Sequence, residues 1–138
     1  MSVVAFDGKS VAADKQASFG NIKLTVNKLF HHFDEVLSFV GDSEEGLMMI
    51  NWYKNKETQE FPKFKEYKTT LLVFSKEGYK YYELTDTPQT TETPFIAFGS
   101  GRDFAMGAMA AGADAEHAVG IACNYDINCG LGVTVINF

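Results

Sequence analysis

What this sequence is short of narrows the field first. It has two cysteines, Cys123 and Cys129, six positions apart and without a companion pair. That spacing is neither a disulfide framework nor a metal-ligand motif, so two free thiols in a reducing compartment are expected. Cations are scarce: 12 Lys and Arg stand against 18 Asp and Glu, giving a net charge of −6 and a pI near 5.0. No basic cluster could follow a phosphate backbone, which argues against nucleic-acid binding. No apolar run approaches the length of a membrane span, and the first residues lack the charged and apolar regions of a signal peptide. The expected address is therefore cytoplasmic, with no membrane partner. What is present is 138 residues, 46% of them hydrophobic. That suits a single domain, 1–138, able to bury a real core.

Apolar and turn residues divide the chain into short strands and three helices. Val3–Phe6 and Ser10–Gln16 read as strands joined by a tight turn at Asp7-Gly8, where glycine accepts positive φ. A looser stretch, 17–23, leads to strands at Thr25–His32 and Val36–Val40, with the turn at Asp34-Glu35. Gly41-Asp42-Ser43 opens a helix over Ser43–Lys54, whose acidic first turn complements the helix dipole. The polar stretch 56–68, carrying Pro62, reads as loop or a short turn of helix. A second hairpin follows, Thr69–Phe74 and Tyr79–Leu84, and then a surface loop at 86–93. Phe95–Phe98 is a strand, "RDFAMGAMAAG" a small-residue helix, Ala115–Asn124 a helix capped by Asp114, and Gly132–Phe138 a closing strand. Hairpin-joined strands imply antiparallel sheets, and helices of early and late origin imply layers on both outer faces. The predicted class is α+β, a four-layer α/β/β/α sandwich with two antiparallel sheets.

Several tempting motifs fail. Gly99-Ser100-Gly101 is no dinucleotide fingerprint, because Phe104 stands where the third glycine belongs. His31 and His32 are neighbours on a strand, so they face opposite ways and cannot share a metal. His117 reads as a surface residue satisfied by a partner. The 12 Phe and 6 Tyr are most simply core and sheet packing.

The start of the chain is different. Methionine before serine is commonly removed, which leaves Ser2 with both a free α-amine and a hydroxyl. Such a residue can be nucleophile and general base together, since the amine, with a reference pKa of about 7.7–8.0, accepts a proton near neutral pH. A nearby lysine keeps that amine neutral and favours the deprotonated hydroxyl; a carboxylate holds the lysine. Asp14 and Lys28 lie on the strands best placed for this. Taken singly, each is an ordinary surface charge.

Five fragments in order resemble one family. "SVVAFDGKSVAADKQASFGN", "VNKLF", "FVGDSEEG", "AFGSGRDFAMGAM" and "NYDINCGLGV" are similar to segments of the proteasome β-subunits. They are closer still to those of the peptidase subunit of the related bacterial ATP-dependent two-component protease. The similarity thins between 56 and 93. The resemblance implies an N-terminal nucleophile hydrolase with Ser2 as nucleophile, Lys28 as catalytic lysine and Asp14 as its acid. Gly41 would supply the oxyanion N–H, Ser100 would contact the terminal amine, Asp126 would support it, and Cys129 would stand where serine is usual. Such an oxyanion donor is worth about 2.7–4 kcal/mol in a comparable enzyme.

The pocket positions of that family fall on Ala17, Val26, Phe30 and Phe39, which implies cleavage after hydrophobic side chains. Also implied are a peptide or unfolded-protein substrate, a homo-oligomeric ring and a separate unfolding ATPase, with no metal or organic cofactor. Three departures stand out. Serine in place of threonine loses the methyl that fixes the hydroxyl rotamer, so slower catalysis is expected. Cys129 is a poorer hydrogen-bond donor than serine. The second helix of the family is reduced in the 56–93 region, so ring stoichiometry does not carry over. Two rival readings remain: a catalytically silent scaffold or assembly subunit, and a small-amide hydrolase of the same nucleophile class.

Overall fold

The computed structural model describes residues 2–66 and 68–138. Strand β1 (Val3–Phe6) is apolar and buried at every position. Side chains alternate across a strand, so full burial means that both faces are covered. β1 pairs with β2 (Ser10–Asp14) on one side and β9 (Ile96–Gly99) on the other, and β10 (Val133–Asn137) adds to β2. All these pairings are antiparallel. On one face Val3, Ala5, Ala12 and Ala97 meet α2 (Arg102–Ala110) and α3 (Ala115–Tyr125). On the other, Val4, Phe6, Val11 and Ala13 meet Val36, Leu72 and Phe74 of a second sheet.

That second sheet is also antiparallel, running β5 (Phe30–His32), β6 (Glu35–Val40), β7 (Thr70–Ser75) and β8 (Gly78–Tyr82) in order. Its outer face, through Leu37, Leu71, Val73 and Tyr82, packs on Met49, Ile50, Trp52 and Tyr53 of α1 (Ser43–Lys54). The layers are therefore α2/α3, first sheet, second sheet, α1, the predicted α/β/β/α sandwich. No helix among the described residues is long and apolar enough to cross a membrane.

The two outer layers are packed differently. Alanines at 105, 115, 118 and 122 let α2 and α3 sit close on the first sheet. Beneath α1 the space is filled by rings: Trp52 meets Phe61 and Tyr82 edge-on, with centroids 4.8 and 5.3 Å apart. Each long helix starts on a carboxylate cap: Asp42 accepts the Glu45 N–H and Asp114 the His117 N–H, both at 2.9 Å. Asp7 does more than turn the first hairpin. Its second oxygen accepts the Ala115 N–H at 2.8 Å and so ties that hairpin to the start of α3.

The main departures from the sequence reading are four. The strand expected over Ser10–Gln16 stops at Asp14, and the chain bends at Lys15 into β3 (Gln16–Phe19). The stretch taken as loose, 17–23, forms a separate two-stranded ribbon of β3 with β4 (Ile22–Thr25). The strand expected over Thr25–His32 is interrupted: 26–29 is irregular, and Lys28 lies within it. Two polar side chains hold that interruption. Asn27 Nδ2 donates to the Leu29 carbonyl at 2.8 Å, and the buried Ser38 hydroxyl donates to the Lys28 carbonyl at 2.6 Å. Finally, the β5–β6 turn falls on Phe33-Asp34, with Phe33 at φ +56°, rather than on Asp34-Glu35. Between α1 and β7 there is no helix or strand among the described residues, so of the two readings of 56–68 the loop holds and the short helix does not.

Candidate functional site

The interruption at 26–29 matters because it aims Lys28 inward. Its ammonium meets Asp14 Oδ1 at 2.7 Å, with the lysine side chain 11% exposed and the aspartate 0%. A carboxylate with no contact to water must be fully hydrogen-bonded or it costs several kcal/mol. Asp14 is. Oδ1 also accepts the Val3 N–H at 3.1 Å, while Oδ2 accepts the N–H groups of Gln16 (3.3 Å) and Gly130 (3.0 Å). Burial pushes the Lys28 ammonium below its ordinary pKa, and the attraction of Asp14 only partly restores it.

Ser2 lies beside this pair. Its hydroxyl donates to the Gln16 carbonyl at 3.4 Å, and its own carbonyl accepts the Gly101 N–H at 3.4 Å. Gly99 makes that approach possible: a Cβ built there would lie 1.9 Å from the Ser2 oxygen, and its φ of +101° favours glycine. Ser2 and Lys28 line one cleft of about 330 Å³ together with Gly41 and the four predicted pocket residues Ala17, Val26, Phe30 and Phe39. Apolar side chains thus share the cleft wall with Ser2 and Lys28. Gly41 has φ +117°, and a Cβ on it would strike the Lys68 carbonyl at 2.4 Å. No other residue fits that turn unstrained.

A second polar group backs the first. Burial opposes the charge on Asp126, but hydrogen bonds from the Asn128 N–H, Ser100 and Cys129 outweigh it and hold its pKa below the usual carboxylate value. Cys129 Sγ donates to Asp126 Oδ2 at 3.3 Å. Burial, with the nearby Asp14 and Asp126 carboxylates, pushes that thiol up to about 12. It is a buried donor, not a thiolate nucleophile. A Cβ at Gly101 would lie 3.0 Å from this sulfur, so the Ser100 turn and the Cys129 loop are packed hard together.

The structure therefore brings Ser2, Lys28 and Gly41 with the four pocket residues to one cleft, keeps Asp14 buried against the Lys28 ammonium, and gathers Ser100, Asp126 and Cys129 into a second cluster. Met1, whose removal the sequence reading requires, lies outside the described residues. Two contributors escaped the sequence reading. Gln16 gives its N–H to Asp14 and its carbonyl to Ser2, and its Nε2 donates to the Ile127 carbonyl at 3.2 Å. Gly130 donates to Asp14 from the far end of the chain. Both act largely through backbone groups, which leave no side-chain signature. His31 and His32 alternate on β5, while His117 meets Asp114 at the surface, both as expected.

No protein-family model matches the chain, and no curated protein sequence does. Solved structures do match. BPH from Thiobacillus denitrificans in complex with epoxomicin superposes with a TM-score of 0.76 at 19% identity, over 100% of this chain and 98% of that one. BPH in a second structure gives 0.74 at 19%, over 100% and 97%. Eukaryotic HslV from Trypanosoma brucei gives 0.75 at 23%, over 98% and 97%. Layers, strand order and these matches together establish that this chain has the proteasome-like fold of the N-terminal nucleophile hydrolases, in the form seen in HslV and BPH.

Proposed function

We propose that the chain is a serine-type N-terminal nucleophile peptidase, active once Met1 is removed. The observation that carries this reading is the buried Asp14–Lys28 pair opening onto the cleft that Ser2 lines. A scaffold has no chemical use for a lysine ammonium buried against a fully hydrogen-bonded carboxylate beside its first residues.

The steps follow from the groups present. Ser2 Oγ attacks the peptide carbonyl and its proton passes to the Ser2 α-amine. The Lys28 charge keeps that amine neutral beforehand and stabilises the alkoxide character of Oγ. Negative charge gathers on the carbonyl oxygen, where the Gly41 N–H receives it. The Ser2 α-ammonium so formed then protonates the leaving amine, and an acyl ester remains on Ser2. Water, deprotonated by the same amine, releases the acid. Ala17, Val26, Phe30 and Phe39 favour an apolar side chain before the scissile bond. A homo-oligomeric ring, unfolded-protein substrates and a separate unfolding ATPase complete the proposal by likeness to HslV.

Intact mass, epoxomicin labelling and fluorogenic peptides test it together. The expected result is loss of one methionine, one epoxomicin adduct at Ser2, and cleavage after apolar residues that Ser2→Ala abolishes. A retained methionine with neither adduct nor cleavage would overturn the reading in favour of a scaffold. Turnover of small amides but not of peptides would favour the amidohydrolase.

A further inference from the structure

The turn that carries Gly41 is held by an unusual arrangement of a familiar cap. Asp42 is the N-cap of α1, and Glu45 stands three residues on, the spacing of a capping box. In such a box the carboxylate at the third helical position returns to the N–H of the cap residue. Here it does not reach that N–H directly. The Asp42 N–H donates to Thr69 Oγ1 at 3.0 Å, and the Thr69 hydroxyl donates on to Glu45 Oε1 at 2.7 Å. The reciprocal bond, from the Glu45 N–H to Asp42 Oδ1, is normal at 2.9 Å. A threonine from outside the helix is thus inserted into the box.

Thr69 immediately precedes β7 and is 4% exposed. Its position against Gly41 is tight: a Cβ on Gly41 would lie 2.8 Å from Thr69 Cα and 2.9 Å from Thr69 Oγ1. The hydroxyl therefore has one use in its acceptor role and one in its donor role, both on the residues that fix the Gly41–Asp42 peptide. Since β6 pairs with β7 through Val40 and Thr70, the strand ends on either side of this contact are themselves locked. Rotation of the turn at Gly41, which glycine alone would allow freely, is opposed by the bond at Asp42.

We infer that Thr69 is a positioning residue for the Gly41 N–H, acting through Asp42 and Glu45. The inference rests on the peptidase reading, in which that N–H receives the oxyanion. An oxyanion donor acts only when its hydrogen is aimed at the place where charge develops, and small misplacements cost rate rather than substrate binding. Glu45 Oε1, by taking the hydroxyl hydrogen, fixes the Thr69 rotor so that its oxygen faces the Asp42 N–H.

The test compares wild type, Thr69→Val and Thr69→Ser, with rates normalised to the fraction of Ser2 that epoxomicin labels. Removing the hydroxyl at constant shape should lower kcat roughly ten- to a hundredfold with little change in KM. Affinity for a peptide boronate, which forms a tetrahedral adduct, should fall in parallel. Thr69→Ser keeps the hydroxyl and should recover kcat to within a few-fold of wild type. A structural role alone would reduce the labelled fraction or the melting temperature and leave the normalised kcat intact. That result, or a serine variant as impaired as valine, overturns the inference while leaving the peptidase standing. A wild-type chain that neither labels nor cleaves overturns both.

Discussion

Asp14–Lys28 and Asp114–His117 are ion pairs of nearly equal length, 2.7 and 2.6 Å, placed at opposite extremes of exposure. The first has side chains 11% and 0% exposed; the His117 and Asp114 side chains are 75% and 52% exposed. Distance alone would rank them together. Burial separates them. For Lys28, removal from water outweighs the attraction of Asp14, and its pKa falls. For His117, the hydrogen bond and charge of Asp114 dominate, and its pKa rises. Neither the sign of the shift nor the purpose of the pair can be read from its geometry. One pair is held against its solvation cost at the candidate site; the other is an accessory to a helix cap.

The strongest way to break this contrast is Lys28→Met. It strands a buried carboxylate, and about 3–5 kcal/mol of stability should be lost by urea denaturation. Peptide hydrolysis should fall about 10²- to 10⁴-fold, the range of a lost acid–base partner. Adding Asp14→Asn should recover much of the stability and none of the activity, because the stranded charge is gone but the lysine is not restored. Recovery of activity in the double variant would show that the pair is structural only.

A pH series sharpens the contrast further. The Lys28 pKa is lowered from 10.5, so between its folded value and 10.5 the unfolded chain binds more protons, and this group's contribution to stability rises with pH. Peptidase activity should decline over the same window as the ammonium is lost. The His117 pKa is raised from 6.5, so its contribution is present below 6.5 and disappears as pH climbs through the raised value. Denaturation midpoints of wild type against each single variant would resolve the two opposite slopes. The smallest effect belongs to His117→Gln. Activity should be unchanged, and any shift in midpoint should vanish in high salt, as for exposed pairs generally.

How much of this was legible follows the range of the interactions. Local signals held: the unbroken apolar run Val3–Phe6, the helix opening at Asp42 with Glu44 and Glu45 behind it, and the cap at Asp114 each specify an element from adjacent residues. The four-layer order followed from them, and the resemblance pointed to Ser2, Asp14, Lys28 and the pocket residues that the fold gathers. What failed was tertiary. The break before β5 depends on Ser38, ten residues away, capturing the Lys28 carbonyl. The β3–β4 ribbon was missed because Phe19, Ile22 and Leu24 are exposed rather than alternating into a core. Thr69 sits where the resemblance thins, and its role comes from two partners on another element.

The antiparallel neighbour of β1 on one side is β9, and the last N–H to reach Asp14 is that of Gly130. The other neighbour, β2, follows at once in the chain, so this one sheet joins a local pairing to a distant one. The cleft lining comes from residues 2–47, but the carboxylate that holds Lys28 is completed only by a partner 116 residues further along, and contacts of such long sequence separation form slowly. The Asp14–Lys28 pair is thus among the last features to settle as the chain folds, although both of its members lie near the start.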